Sequence, residues 1–330
     1  MTVEDALTEA LVRIDSYLAG SSLESMAQDV REGLTREPKE IPPKYFYDDR
    51  GSDLFERITK LPEYYPARCE RAILHRRAPE IAALTGAEEL VELGSGSASK
   101  TRALLSAMAD RGTLRRYVPV DVARTAVERS ALELAELYPG LRVHAVVGDF
   151  ERHLAYVPQG EARLFAFLGG TIGNLAPQER ACFLSDLRGV LGGGDRLLLG
   201  SDFEKDVGRL EAAYNDSRGL TAEFNRNVLH VINRELGGDF RPEAFDHVAF
   251  YDQESRWVEM RLRARGAQRV LIQRAGLEVG LADGEAIRTE ISAKFTPAGI
   301  EGELRDAGLR LERFFTDEEG LFGVSLAAPA

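Results

Sequence analysis

Glu89-Leu90-Val91-Glu92-Leu93-Gly94-Ser95-Gly96-Ser97-Ala98-Ser99-Lys100-Thr101 is the stretch whose reading decides the fold. It reads as a short apolar strand, a tight glycine turn and the start of a helix, with an acidic residue, Glu92, among the last strand residues. Strand, glycine turn and helix together are how open α/β sheets bring a backbone close to a nucleotide-like ligand. The local pattern is Gly-x-Gly-x-x-Ser, so the third glycine of the dinucleotide fingerprint is absent. That departure weakens an NAD reading. It suits S-adenosylmethionine, which has no pyrophosphate to rest on the helix N-terminus.

Outward from this turn, strand and helix alternate from residue 70. The expected strands are Leu90–Leu93, Tyr117–Asp121, Arg142–Asp149, Arg163–Gly170 and Asp195–Asp202, and the expected helices cover 98–110, 123–137 and 177–190. This rhythm implies a parallel sheet with right-handed crossovers. Gly94, Asp121, Asp149 and Asn174 each follow the carboxyl end of a strand or its adjoining loop, at intervals of 27, 28 and 25 residues. One βα unit per interval places all four along the sheet edge where such folds bind ligands.

The rhythm fails after Asp202. Residues 205–240 read as helical and 245–280 as antiparallel strands, namely His247–Tyr251, Trp257–Arg265, Gln268–Arg274 and Leu277–Val279, with Ala275-Gly276 as a two-residue hairpin signal. Ile287–Phe295, a helix from Pro297 to Asp306, and the strands Leu309–Phe315 and Phe322–Leu326 complete the chain. A terminal hairpin would supply strands six and seven, one of them antiparallel, which is the Rossmann-like seven-stranded plan of the class I methyltransferases. Residues 1 to about 35 show two amphipathic patterns read as helices: Ala6-Leu7, Ala10-Leu11 and Ile14, then Met26, Val30 and Leu34. Two aromatic loops follow, around Tyr45-Phe46-Tyr47 and Tyr64-Tyr65. The expected division is a methyltransferase domain of residues 69–204 and 295–330, and a second, discontinuous α+β substrate-binding domain of residues 1–68 and 205–294 packing over the ligand edge.

Composition narrows the function. The 330 residues are 44% hydrophobic and 29% charged, as in a soluble globular protein, and the net charge of −12 argues against a nucleic-acid backbone as partner. The acidic start Met1-Thr2-Val3-Glu4-Asp5 shows no leader pattern, and no apolar run approaches a membrane span, so a cytoplasmic protein is expected. Cys69 and Cys182 read as free thiols, and the five histidines form no metal-ligand spacing, so no metal is expected.

Adenosylmethionine demands close backbone approach, a carboxylate for two ribose hydroxyls and a polar group for the adenine edge. Gly94 and Gly96 supply the approach. Asp121 is placed like the acidic residue that takes a ribose diol in doubly wound folds. Asp149 could accept from the adenine amino group while Phe150 packs beside the ring, and Lys100 could meet the cofactor carboxylate. The same aspartates would also serve as strand-end caps, and Lys100 as a solvated helix lysine.

Pro43-Lys44-Tyr45-Phe46-Tyr47-Asp48, Leu61-Pro62-Glu63-Tyr64-Tyr65-Pro66, Glu92-Leu93-Gly94-Ser95-Gly96, Gly170-Thr171-Ile172-Gly173-Asn174-Leu175, Phe224-Asn225-Arg226-Asn227 and Thr289-Glu290-Ile291-Ser292-Ala293-Lys294-Phe295 go further. Over residues 22 to 327 the chain resembles the histidine Nα-methyltransferases of ergothioneine biosynthesis, which make the betaine hercynine. That family often has cysteine where Ala293 stands and tryptophan where Tyr45 stands; neither is a residue with an assigned role. The resemblance implies that Asn174, Tyr64 and Tyr214 hold the amino-acid end of histidine, with Gly169, Thr171 and Met260 also at the substrate. Tyr47 would stand near the amine, so Tyr47 and Asn174 are the expected catalytic pair. Glu290 and Ser292 would grip the imidazole; positions i and i+2 of a strand point the same way, so both can reach one ring. The implied reaction is an in-line methyl transfer to a neutral α-amine, repeated three times, by a monomer. Three alternatives stay open: methylation of another amino acid or biogenic amine, an NAD-dependent dehydrogenase, and a methyltransferase-like protein that only senses a metabolite.

Overall fold

Residues 11–18 and 22–330 are described by the structure, a computed structural model. β1 (Val12–Ser16), β2 (Glu89–Leu93), β3 (Arg116–Asp121), β4 (Arg142–Val147), β5 (Arg163–Phe167) and β6 (Arg196–Asp202) come first along the chain. β7 (Phe245–Asp252), β8 (Trp257–Ala264), β9 (Gln268–Ile272), β10 (Leu277–Leu281) and β11 (Ala286–Ala293) follow, and β12 (Leu309–Thr316) and β13 (Phe322–Pro329) close it. The chain divides into two compact units. The first holds residues 11–18, Pro66–Glu204 and Phe295–Ala330, and the second holds residues 22–65 and Lys205–Lys294. Among the described residues no helix is long and apolar enough to cross a membrane.

The first unit is built on an eight-stranded sheet in the order β1-β4-β3-β2-β5-β6-β13-β12. β1 to β6 are parallel, and β13 runs antiparallel between β6 and β12. Every residue of β2 and of β5 is buried, Glu89, Glu92 and Arg163 included, as the central strands of a parallel sheet are when both faces are covered. The chain proceeds outward from β2 through β3 to β4, then returns to place β5 on the other side of β2. The crevice at the carboxyl ends of β2 and β5 is therefore the topological switch point, where open α/β sheets take their ligands. The helix Pro177–Val190 falls where the sequence put it, Arg124–Leu137 starts one residue later than expected, and Arg102–Asp110 starts four residues later.

The eighth strand corrects the sequence reading. Ile14, assigned there to an amphipathic helix, lies on β1, which pairs in parallel with β4 from Val12↔Val143 to Ser16↔Val147. Leu11 and Ile14 stand at helical spacing, but Val12 and Ile14 also alternate with Arg13 and Asp15. The open edge of β4 decides between the two periods, and Asp15 adds a hydrogen bond to His144 at 2.7 Å. Ala6-Leu7 and Ala10 lie outside the described residues. Residues 11–18 thus belong with the large sheet instead of the second unit, and the boundary falls at Pro66.

The second unit has a three-stranded antiparallel sheet, β11-β8-β7, a two-stranded β10-β9 ribbon and the helices Ser22–Thr35, Asp49–Ile58, Val207–Tyr214 and Leu220–Leu236. The ribbon differs from the expected two-residue hairpin. Ile272 pairs with Leu277, so four residues form the loop, closed by Gly276 N–H on the Gln273 carbonyl at 3.0 Å. Helix Asp49–Ile58 shows how closely this unit is built. Asp48 caps it by accepting from the Gly51 N–H at 2.8 Å, and the same side chain accepts from Asn227 at 2.7 Å and Arg234 at 2.8 Å. Gly51 is required: a Cβ there would lie 1.6 Å from the Phe46 carbonyl oxygen.

Candidate active site

In the first unit the glycine turn leaves β2 with Gly94 at φ +72° and Gly96 at φ +50°, backbone angles that glycine adopts without strain. The Gly94 N–H donates to the Val120 carbonyl at 2.8 Å, which moors the turn to β3. The Gly96 N–H donates to Asp121 Oδ2 at 2.8 Å, and the Ala123 N–H donates to Oδ1 at 2.9 Å. Asp121 is therefore the post around which the turn is set. Burial pushes its carboxyl up, against the opposing pull of those backbone N–H groups. Each carboxylate oxygen retains a lone pair for a ligand hydroxyl. Asp149 caps the short helix Phe150–His153 by accepting from the Glu151 N–H at 3.0 Å. Both strand-end aspartates thus do the local capping that the sequence left open, in positions that also face the switch point's edge of the sheet.

Phe150 packs edge-on against Phe167 and Phe183, with centroids 5.1 and 5.7 Å away, and its ring is the nearest group, at 3.8 Å, to where a Cβ on Gly94 would sit. The bare glycine and the aromatic ring border the same space. Ser95 Oγ, in the middle of the turn, is buried without a hydrogen-bond partner. Two glycines without side chains, an aromatic wall, two carboxylates and an orphaned hydroxyl fit an adenosyl ligand. Gly94, Gly96, Asp121, Asp149 and Phe150 are the residues that would hold it.

Across the switch point, β5 runs into Gly169 and Gly170 and then the 3₁₀ turn Thr171–Asn174. Thr171 donates to the Leu168 carbonyl at 2.9 Å, and Asn174 ends the turn half-buried. The two sides of the switch are joined by a residue the sequence reading missed. Glu70, whose side chain is fully buried, accepts from Lys100 Nζ at 3.0 Å and from the Gly169 N–H at 2.6 Å. It is one carboxylate on a long helix, four residues past the Leu61–Pro66 motif, and no local pattern marks it. Lys100 is accordingly a fixed, partly exposed cation beside Gly169 and not a freely solvated helix lysine. Beneath the turn, Glu92 accepts from the Thr101 and Tyr117 hydroxyls. Burial raises its carboxyl to about 7 despite those two bonds.

The second unit gathers Tyr47, Tyr64, Tyr214, Met260, Glu290 and Ser292. Tyr47 stands edge-on to Phe55 and Phe224, each with a centroid separation of 5.6 Å. Phe55 meets Tyr64 at 6.0 Å, and Tyr64 meets Tyr214 at 6.2 Å. Edge-to-face contacts of this kind fix ring planes, so the three tyrosines form one rigid aromatic wall. Glu290 on β11 is directly opposite Met260 on β8, and Ser292 is two residues further on. Ser292 Oγ lies 2.7 Å from the Tyr214 hydroxyl, which joins the β11 side chains to the aromatic wall.

Tyr214 is held from behind as well. His247 Nε2 lies 2.9 Å from the Tyr214 carbonyl, and the Asn225 amide lies 2.8 Å from His247 Nδ1 and 3.1 Å from the Arg261 carbonyl. With the amide donating to both, Nδ1 accepts and Nε2–H donates, which is the neutral imidazole. Burial lowers the His247 pKa in the same sense. The motif Phe224-Asn225-Arg226-Asn227 is thus scaffolding: Asn225 positions Tyr214 through His247, and Asn227 holds the Asp48 cap.

The sheet order with a reversed terminal hairpin, the glycine turn without the third glycine and the strand-end carboxylates define a class I S-adenosylmethionine-dependent methyltransferase. Residues 26–329 match the family described as "Histidine-specific methyltransferase, SAM-dependent", and the chain belongs to that family. It is 52% identical over 313 residues to a histidine N-alpha-methyltransferase of Mycolicibacterium smegmatis, covering 94% of this chain and 98% of that one. A histidine N-alpha-methyltransferase of Mycobacterium tuberculosis is 52% identical over 304 residues, covering 92% and 95%. The ergothioneine biosynthesis protein 1 of Neurospora crassa is 32% identical over 257 residues, covering 72% of this chain and 29% of that longer protein.

Proposed function

We propose that this enzyme transfers three methyl groups from S-adenosylmethionine to the α-amino nitrogen of L-histidine, giving hercynine, the first step of ergothioneine biosynthesis. The observation that carries the choice of acceptor is the 2.7 Å bond between Ser292 and Tyr214, with Glu290 two residues away on the same strand. A carboxylate on the same strand as this hydroxyl pair, with the aromatic wall in the same unit, supports the reading. The names of the two mycobacterial relatives support the same acceptor, and that of the Neurospora protein supports the pathway.

Bound adenosylmethionine supplies an electrophilic methyl group on a sulfonium. The chain's own residues have to position a neutral amine in line with it and exclude water, which is where most of the acceleration of such a displacement comes from. Glu290 accepts an imidazole N–H, and a ring lacking that donor forgoes a charge-assisted bond, a basis for rejection. Asn174 accepts from the α-amine and turns one lone pair toward the methyl. Tyr47 offers an electron-rich ring beside the nitrogen as it becomes a trimethylammonium cation. Tyr64 and Tyr214 donate to the carboxylate. Gly169, Thr171 and Met260 border the substrate. Each transfer forms a C–N bond and breaks a C–S bond, and over the three rounds the α-ammonium gives up three protons to solvent. The second unit serves as the substrate-binding domain, and the protein acts as a monomer in the cytoplasm.

The test is incubation with histidine and labelled adenosylmethionine, read by mass spectrometry, with Glu290→Ala in parallel. The wild type should yield histidine carrying three added methyl groups. The variant should keep S-adenosylhomocysteine affinity and lose histidine turnover by roughly a hundredfold or more. Unchanged histidine kinetics in the variant would sink the assignment and favour another amino acid or amine as acceptor.

A further inference from the structure

Glu70 enters the first unit from the helix Tyr65–Thr85, and its side chain is 0% exposed. Both of its oxygens are in use: Oε2 accepts from Lys100 Nζ at 3.0 Å, and Oε1 from the Gly169 N–H at 2.6 Å. β6 makes room for it at Gly200. No positive φ calls for glycine there, but a Cβ would overlap Glu70 Oε1. Three rigid parts of the fold, a helix, a backbone amide and a strand, therefore set one carboxylate. That carboxylate in turn holds one flexible group, the Lys100 side chain. Burying a carboxylate this completely costs free energy even when its charge is paired.

The group so held stands at the ligand edge of the sheet. The Lys100 side chain is 24% exposed, and a Cβ on Gly169 would come within 3.0 Å of its Nζ, so the ammonium lies over the carboxyl end of β5. Among the described residues Glu70 takes one of the three ammonium protons, which leaves two for a ligand. A lysine that swings freely gives up rotamer freedom when a ligand catches it, and that loss weakens binding. One already pinned does not. A second carboxylate, Glu92, lies close enough for both charges to act on it: Lys100 pulls its carboxyl down and Glu70 pushes it up. A released ammonium would have that carboxylate, or solvent, to turn to.

We propose that Glu70 is a positioning residue for the cofactor: it presets the Lys100 ammonium beside Gly169 for the carboxylate of the methionine moiety. The inference rests on Lys100 meeting that carboxylate and adds the group that holds it ready. Charge and position pull in opposite directions here, so the two roles can be told apart. As an anion, Glu70 repels the ligand carboxylate and competes for the ammonium; if that were its whole effect, its removal would tighten binding. As a post, its removal weakens binding. Glu70→Gln keeps the shape but has one acceptor oxygen where the carboxylate has two. The Gly169 N–H is fixed in the backbone and keeps that oxygen, so the amide nitrogen, a donor, faces Lys100 and releases it. Gly200→Ala pushes Glu70 aside and leaves both charges in the chain.

The experiment measures, by titration calorimetry on the full chain, the affinity for S-adenosylhomocysteine and for S-adenosyl-3-thiopropylamine, the same molecule without its carboxylate. The ratio of the two reads the carboxylate alone, and the affinity for the second ligand reports that the adenosine pocket is intact. The wild type should prefer S-adenosylhomocysteine by about tenfold or more. In Glu70→Gln that preference should fall by about fivefold or more, nearly all of it through weaker binding of S-adenosylhomocysteine. Gly200→Ala should move it the same way, and it carries the test if the Gln variant does not fold. Lys100→Met should abolish the preference, and adding Glu70→Gln to it should change the ratio by less than about twofold, since the held group is already gone. An unchanged or raised preference in either folded variant, or equal losses on both ligands, would overturn the proposal and leave Glu70 a packing residue. Loss of the preference in Lys100→Met but not in the other two refutes this inference alone. No preference in the wild type, or one that survives Lys100→Met, refutes the reading of Lys100 and this inference with it.

Discussion

Glu92 sits under the glycine turn with both oxygens occupied, one by the Thr101 hydroxyl at the start of helix Arg102–Asp110 and one by the Tyr117 hydroxyl on β3. Burial lifts its carboxyl from an ordinary 4.5 to about 7; the two hydroxyl bonds and the charge of Lys100 pull downward without cancelling that, and Glu70 adds to the rise. The folded protein therefore holds a proton at a pH where the unfolded chain has already lost it. The stabilisation from this group is full below about pH 4.5 and is lost as the pH rises through about 7. At about 1.36 kcal/mol for each pH unit, the displacement from 4.5 to about 7 amounts to about 3.4 kcal/mol, of which about 2.5 falls between about pH 5 and about pH 8. Glu92→Gln removes the titration. Its constant cost in altered hydrogen bonding is the same at every pH, so the stability difference between wild type and variant isolates the carboxyl. Urea unfolding followed by far-ultraviolet circular dichroism at several pH values should show that difference moving in favour of the variant by about 2.5 kcal/mol, most of it below about pH 7. A difference that stays flat with pH, or moves the other way, would refute the reasoning and mean that Glu92 is already ionised under the turn in mildly acid solution.

Two further outcomes follow from packing and burial. Gly51→Ala drives a Cβ into the Phe46 carbonyl, 1.6 Å away, and should cost about 3 kcal/mol or more in urea unfolding; a variant within about 0.5 kcal/mol of the wild type would contradict the close approach. Burial, and secondarily the charge of Asp317, pushes the Cys69 thiol up to about 12, whereas Cys182 is exposed. A thiol reagent at neutral pH should therefore modify one cysteine per native chain and both in denaturant, and fast modification of Cys69 in the native protein would be the wrong result.

Much of the first unit was legible in the chain because its signals are local and repeated. A parallel sheet buried on both faces demands runs such as Leu90–Leu93, each followed by a turn and an amphipathic helix. That repeat alone puts Gly94, Asp121, Asp149 and Asn174 on one sheet edge. The glycine turn could be read because its positive φ angles leave few choices of residue. Glu290 and Ser292 could be placed on one strand face by counting in twos. Residues 11–17 could not be settled this way, since their apolar positions fit a period of 3.6 and a period of 2 together, and only the vacant edge of β4 breaks the tie.

What only the tertiary structure decided are the partners that meet across long separations. Glu70 reaches Lys100 and Gly169 because the sheet order puts the β2 and β5 loops side by side, a fact with no trace near residue 70. Asn225 and Asn227 stand in a motif to which the sequence assigns no role, and folding gives their side chains His247 and Asp48 on neighbouring elements. Lys294 shows the division most clearly. The sequence places it two residues beyond Ser292, where it reads as the end of a strand; folding sets its ammonium against two hydroxyls, one of them 80 residues away in the chain. Periodicity and turn chemistry are properties of neighbours along the chain, so the sequence by itself determined the sheet from β2 to β13 and its ligand edge, though not the edge strand β1. Charge, proton direction and burial belong to neighbours in space, and those waited on the fold.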